Sequence, residues 1–229
     1  MWYNRAIMLV IDGAYGEGGG QILRTALSLA AITTQPIQIE NIRAGRKNPG
    51  LAAQHLTAVR AAAMICDARL TGDKLGSTRL RFEPQAPPIA GLYQFDVAEA
   101  RTGGSAGAAT LVLQTILLPL ALADDTSEVT VKGGTHVPWS PSFHYLRDVY
   151  LPMLDRLGLR AEAKLKEWGW YPAGQGEIEL TVSGSADLQL TSPKNAVEIG
   201  SGRGSLKEVK GVAVASSLPA HIAQRMRDR

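Results

Sequence analysis

Asp12-Gly13-Ala14-Tyr15-Gly16-Glu17-Gly18-Gly19-Gly20 sets one carboxylate inside a run of glycines, directly ahead of apolar positions at helical spacing. Glycines at a helix start leave backbone N–H groups free to meet an anion, and a carboxylate among them is a hard oxygen ligand able to hold a divalent ion against a triphosphate. The same residues also fit a tight turn followed by a first-turn helix acid. The run matches neither the dinucleotide fingerprint nor the P-loop, because no Gly-Lys-Ser/Thr follows it. Arg43, Arg46 and Lys47 crowd the loop Ile42 to Gly50, and Arg24 stands in the first turns of the preceding helix. Guanidinium forks match phosphate oxygens, although a solvated basic loop reads the same way. Gln54 and His55 open the next helical pattern, where they would reach nucleic acid or simply face solvent. Gln114 interrupts an apolar helix face and needs a hydrogen-bonding partner, from the structure or from a ligand. Trp139, Pro141 and Tyr145 gather aromatic and apolar surface at a turn, suited either to stacking on a base or to a core. The four histidines, His55, His136, His144 and His221, show no metal-ligand spacing, and no zinc site is expected.

The elements that must position these residues follow from period and punctuation. Ile7 to Ile11 reads as a buried strand, and the glycine run feeds a helix to about Ile32. Ile37 to Ile42 alternates as a strand, Leu51 to Cys66 is an alanine-rich helix, and Ala68 to Thr71 and Thr78 to Phe82 are short strands. Pro84 to Pro88 marks a break, after which the order recurs. Tyr93 to Val97 reads as a strand, Gly103 to Gly107 as a glycine turn, Ala108 to Ala123 as a long helix and Val129 to Val131 as a strand. Tyr145 to Leu157 reads as an amphipathic helix, with Arg160 to Lys166 and Glu177 to Val182 as closing strands. The expected fold is therefore α+β, with β-α-β-α-β-β units over about 6–83 and 92–183. Residues 184–229 form a separate, partial domain holding the basic loop Gly200 to Gly204, a strand-like Val209 to Val214 and a helix from Pro219.

Composition narrows the class. The 229 residues carry 24 Lys+Arg and 21 Asp+Glu, a net charge of +3, and 45% are hydrophobic, enough to bury a core without disulfides or a structural metal. With one cysteine, Cys66, no internal disulfide can form, and a reducing, cytoplasmic setting is expected. No apolar run is long enough to span a bilayer, and the opening Met1 to Arg5 lacks a signal-peptide core, so a soluble chain is expected. A net charge this small argues for no particular partner; the placement of the arginines matters more.

Taken together, Asp12 to Arg24, Ile42-Arg43-Ala44-Gly45-Arg46, Gln54-His55-Leu56-Thr57-Ala58-Val59, Ser105-Ala106-Gly107 and Thr110-Leu111-Val112-Leu113-Gln114-Thr115 resemble the RNA 3'-terminal phosphate cyclase family. The likeness runs in order from about Ile7 to Val182, through Gly169-Trp170-Tyr171-Pro172-Ala173-Gly174, and weakly beyond. It implies a fold of repeated β-α-β-α-β-β units with a smaller inserted domain. It also implies an ATP-dependent conversion of an RNA 3'-phosphate to a 2',3'-cyclic phosphate through enzyme-AMP and RNA-adenylate intermediates, with Mg2+ or Mn2+. Carried over by position, Glu17 corresponds to the metal ligand. Gln21, Gln114, Pro141 and Tyr145 correspond to ATP-binding residues, and Arg24, Arg43, Arg46, Gln54 and His55 to RNA and phosphate contacts.

The chain departs from the family pattern at Trp168, where a basic residue is usual, and at Gly174-Gln175-Gly176, where three glycines are usual. None of the four histidines sits in the motif of the family's nucleophile, which follows the inserted domain, and the resemblance implies that this chain ends inside that insertion and cannot adenylylate itself. Three rival readings remain: a cyclase-like scaffold without catalysis that serves ribosome assembly, an enolpyruvyl transferase sharing the repeat architecture, and an inactive fragment whose uncovered apolar face drives self-association. The presence of Glu17, Arg24, Arg43 and Gln114 favours the enzyme over the scaffold.

Overall fold

A computed structural model of the chain describes residues 7–103, 105–187 and 204–228. The chain divides into two units, residues 1–190 and 191–229. The first holds two four-stranded mixed sheets. β1 (Leu9–Asp12), β2 (Ile37–Glu40), β3 (Arg69–Thr71) and β4 (Leu80–Glu83) form one, in the order β1-β2-β4-β3; β5 (Leu92–Asp96), β6 (Ser127–Gly133), β7 (Ala161–Glu167) and β8 (Gly176–Val182) form the other, in the order β5-β6-β8-β7. In each, the first pair is parallel and the next two are antiparallel. The parallel pairs follow from their connections, since a helix crosses between β1 and β2 and another between β5 and β6.

Alternation decides which sheet face is covered. Val129 and Val131 of β6, with Ile178, Leu180 and Val182 of β8, point into the core, while Thr130, Lys132, Glu177 and Glu179 lie between them. The first sheet buries Ile37, Ile39, Leu80 and Phe82 in the same way.

Three helices share one apolar interior: α1 (Gly20–Thr33), α2 (Ala53–Met64) and α3 (Ala109–Ala121). α3 packs against both others and against β6 and β8. It is apolar nearly all round, with Leu113, Ile116, Leu117 and Leu120 fully buried, as a helix enclosed by protein must be. α2 contributes Ala58, Ala61 and Ala62 with Val59; their small side chains let its axis approach α3 closely. A further helix, α4, spans 143–156 as an α turn Phe143–Tyr145, a π-helical stretch Leu146–Tyr150 and an α segment Leu151–Arg156. The expected helix at Tyr145 starts earlier because Ser142 caps it, its hydroxyl accepting from the Tyr145 N–H.

Cys66 is buried, and desolvation pushes its thiol up to about 12, which leaves it neutral and unreactive at ordinary pH. In the second unit a helix, Ala220–Arg227, follows Pro219 as the sequence pattern predicts. Val209 to Val214 does not form the expected strand: its residues have no regular secondary structure, are largely exposed, and no neighbouring strand pairs with them among the described residues. A strand pattern without a sheet edge to join has no partner for its backbone groups. Of the basic loop 200–204, only Gly204 falls within the described residues. Among the described residues no helix is long and apolar enough to cross a membrane.

Candidate functional site

The glycine run begins where β1 ends. The Asp12 carboxylate turns back on its own loop, accepting from the Ala14 N–H (3.0 Å) and the Asn41 side-chain amide (3.1 Å), and these bonds hold it below the usual carboxylate range. Gly16 and Gly18 take positive φ of 60° and 56°, which is why this bend requires glycine. The chain then enters α1 at Gly20, against the start of α2.

His55 explains Gly20. A Cβ at Gly20 would lie 2.3 Å from His55 Nε2 and 2.9 Å from an Arg24 terminal nitrogen, so the α1 start touches the imidazole directly. His55 is 5% exposed, and its Nδ1 accepts from the Ala52 N–H at 3.2 Å, closing the first turn of α2. Burial first, then Arg43 and Arg24, push His55 down to about 3, so the ring is neutral at ordinary pH. The reading of His55 as a solvent-facing residue is therefore corrected: tertiary packing, not local pattern, encloses it.

Arg24 is 8% exposed, which desolvates its guanidinium and lowers it from its ordinary value. Its hydrogen bonds go to neutral oxygens, Gln114 Oε1 at 3.2 Å and Gln21 Oε1 at 3.0 Å. Arg43, at a positive φ of 54°, donates to Gly50 O at 2.6 Å. No ion pair to Arg24 or Arg43 forms among the described residues. Buried positive charge without a carboxylate beside it is costly, and an incoming anion would relieve it. Arg46 reaches the same neighbourhood: its terminal nitrogen lies 3.0 Å from the position of a Cβ on Gly19 and 3.7 Å from Glu17 Oε2. Glu17 itself is 95% exposed at its side chain, free to take a ligand.

The structure thus brings together Glu17, Gln21, Arg24, Arg43, Arg46, His55 and Gln114 around the starts of α1 and α2. Gln21, Arg24 and Gln114, with Thr25, Ser28 and Tyr150, line a cavity of about 160 Å³. That is below the roughly 300–1,000 Å³ of a typical ligand pocket and suits only part of a nucleotide. Gln54 has a different place: its Oε1 accepts from the Ala108 N–H (2.8 Å) and caps α3. Gln54→Ala is expected to lower stability by about 1 kcal/mol, measured as a shifted urea midpoint, because that N–H loses its partner. Pro141 and Tyr145 lie at the start of α4, apart from the cavity. Pro141 O accepts from Thr110 in the first turn of α3, and Tyr145 is half exposed. Trp139, at φ 64°, is 99% exposed and belongs to no core.

Sequence reasoning missed one cluster. His136 and His144, eight residues apart, meet in space: His136 Nε2 lies 2.9 Å from His144 Nδ1. The turn 137–142 folds this pair together, a contact that the absence of metal-ligand spacing gave no reason to expect. No group of three metal-ligating side chains occurs among the described residues. The only sequence signal was the Trp168-Gly169-Trp170 triplet, whose indoles flank the pair.

The comparisons with known proteins agree on one family. The family model for RNA 3'-terminal phosphate cyclase matches residues 15–224. A protein of that name from Gloeothece citriformis is 61% identical over 219 residues, 96% of this chain and 61% of the relative. Another from Trichormus variabilis is 62% identical over 222 residues, 97% of this chain and 62% of the relative. The likeness reaches Sulfurisphaera tokodaii, at 48% identity over 95% of this chain and 60% of the relative. The chain thus spans about three-fifths of the length of the curated relatives it matches. With these matches beside the arginine-rich site, the chain belongs to the RNA 3'-terminal phosphate cyclase family.

Proposed function

We propose that this chain is the phosphate- and nucleotide-receiving part of an ATP-dependent RNA 3'-terminal phosphate cyclase, a ligase-type enzyme that yields AMP and diphosphate. The observation that carries the reading is buried Arg24, with no carboxylate partner among the described residues, and Arg43, both close to neutral His55. A phosphate monoester is a poor electrophile until its oxygen bears a good leaving group. Adenylylation of a histidine with release of diphosphate, transfer of AMP to the 3'-phosphate, and attack by the 2'-hydroxyl with loss of its proton and of AMP supply that activation. Arg24, Arg43 and Arg46 would hold phosphate oxygens, and His55, being neutral, would orient rather than add charge. Gln54 stands in this reading beside the RNA while capping α3, and Gln21, Gln114, Pro141 and Tyr145 would take the ATP.

The donor set fits a divalent ion: Glu17 is an exposed hard-oxygen ligand at the glycine loop, and triphosphate oxygens would complete the shell. A bound Mg2+ or Mn2+ would supply charge neutralisation at the phosphates. Glu17→Ala is expected to abolish the metal-dependent part of ATP affinity while leaving the denaturation midpoint unchanged; titration of ATP with and without Mg2+ reads both. We further propose that the two matching sheets are two repeats of the cyclase architecture, that residues 184–229 belong to its inserted domain, and that the nucleophilic histidine is not among these residues. Cytoplasmic location and a homo-oligomer belong to the same proposal. The decisive experiment incubates the chain with α-labelled ATP and Mg2+ and resolves it by denaturing electrophoresis beside a longer family member. A label on the longer protein alone is the expected result; a labelled band on this chain overturns the placement of the nucleophile. Absence of any ATP or RNA binding would favour the non-catalytic scaffold.

A further inference from the structure

Two loops, 134–142 after β6 and 168–175 between β7 and β8, are sewn together at one point. The Thr135 and His136 N–H groups both donate to Gly169 O at 3.0 Å, and the Gly169 N–H donates to Thr135 Oγ1 at 2.9 Å. Only glycine fits there, since a Cβ on Gly169 would lie 2.3 Å from Gly133 O. In extended chain the residues on either side of it face the same way. Trp168 and Trp170 accordingly lie parallel, within 5° and with centroids 5.6 Å apart. His136 packs against both indoles, at 4.6 and 5.1 Å, and His144 against Trp168 at 5.4 Å.

The two imidazoles and Thr135 share a line of hydrogen bonds. Thr135 Oγ1 accepts from the Gly169 N–H and lies 2.9 Å from His136 Nδ1 and 3.4 Å from Gly169 O, so the hydroxyl ties the imidazole to the loop. His136 Nε2 in turn lies 2.9 Å from His144 Nδ1, so one ring donates to the other. Burial first, then His144, lower His136 from its ordinary value. Trp168 is 36% exposed, and Tyr171, in the same loop, is 74% exposed. Exposed indole adds little to stability, so the rigid placement of Trp168 asks for an occupant with a π-face.

Packed backbone connects the aromatic loop to the start of α2. Gly174 of the aromatic loop is packed on Ser105 and Ala106, Gly107 is packed on Gln54, and Gln54 adjoins His55 at the start of α2. We propose that Trp168, backed by His136, His144 and Trp170, is the stacking platform for a nucleobase of the RNA strand whose 3'-phosphate the arginine site receives. The inference rests on the function proposed above and adds to it a base subsite, one that tolerates any sequence because every base has a π-face.

The test measures binding of an end-labelled, 3'-phosphorylated oligoribonucleotide by fluorescence anisotropy, with the same strand carrying abasic residues at its 3'-terminal positions as the second probe. Trp168→Ala and Trp168→Leu are expected to weaken the intact strand about tenfold, and Trp168→Phe to keep most of the affinity. All of them should bind the abasic strand as the unaltered chain does. Equal binding of the intact strand by Trp168→Leu and the unaltered chain overturns the platform, as does an equal loss on the abasic strand. Should Trp168→Ala lose its circular-dichroism signature, the Leu and Phe variants decide. Arg24→Ala separates the two readings: if it weakens both strands while the Trp168 variants weaken neither, the platform alone falls. If the unaltered chain binds no 3'-phosphorylated strand, both readings fall. A loss of self-association in Trp168→Leu with unchanged RNA affinity identifies the patch as a protein contact and overturns the platform.

Discussion

Gly20→Ala is expected to lower the stability of the chain by about 1–3 kcal/mol, seen as a lower urea midpoint with an unchanged slope. The added methyl would overlap His55 Nε2 and Cδ2, at 2.3 and 2.8 Å, and an Arg24 terminal nitrogen at 2.9 Å. None of these atoms gives way freely. The imidazole is pinned by the Ala52 N–H and the guanidinium by Gln21 and Gln114. The helix-propensity gain of alanine over glycine, up to about 1 kcal/mol in a helix interior, is smaller at a first position and does not offset the overlap. Gly45→Ala is the matched control, because a Cβ there meets nothing within 4 Å; it is expected to be neutral or slightly stabilising. Equal midpoints for Gly20→Ala and Gly45→Ala would mean that the α1–α2 contact is looser than described. The same variant should also weaken phosphate binding, since Arg24 and His55 would be displaced together.

The second large effect is acid sensitivity. Unfolded, His55 titrates near its ordinary value of 6.5; folded, it is pushed down to about 3 by burial, Arg43 and Arg24. Between those values the unfolded chain binds a proton that the folded chain refuses. The contribution of neutral His55 is thus complete above pH 6.5 and is lost as pH falls toward 3, on the order of 5 kcal/mol in all. Urea midpoints measured at steps from pH 7 to pH 4 should fall with a slope that His55→Gln makes shallower, because an amide cannot take up the proton. At pH 7 that variant is expected to be modestly less stable, having lost a fitted ring. Coincident pH slopes for the two proteins would show that His55 titrates normally and is not enclosed between the arginines. Such a result would also remove the crowding of cations on which the proposed anion site depends.

The order of elements was legible because it depends on local chemistry. Helical apolar spacing marked α1, alanine-rich composition marked α2, alternation marked β2, and glycine and proline marked the breaks, all within a few residues of the observed limits. The end of α1 ran one residue past Ile32, and the strand expected over Ile37 to Ile42 stopped at Glu40. Beyond it, Asn41 and Arg43 take positive φ, and the loop bends toward the site. The Val209 to Val214 pattern misled because alternation records a preference that only a neighbouring strand can satisfy. The motifs around Glu17, Arg24, Arg43, Arg46, Gln54, His55 and Gln114 were equally visible as residue types.

The sequence by itself determined the elements, the family likeness and the residues capable of phosphate chemistry, since each is written in composition and short spacing. Tertiary structure alone decided which of them meet. It buried Arg24 away from any carboxylate among the described residues, pressed His55 onto Gly20, and assigned Gln54 to the cap of α3. It also joined His136 to His144 across Trp168 and Trp170, which no spacing rule foretold. The physical reason is the range of the interactions involved. Helix and strand preferences are set within a few residues, whereas burial, desolvation and the pairing of a charge depend on every segment that packs against it.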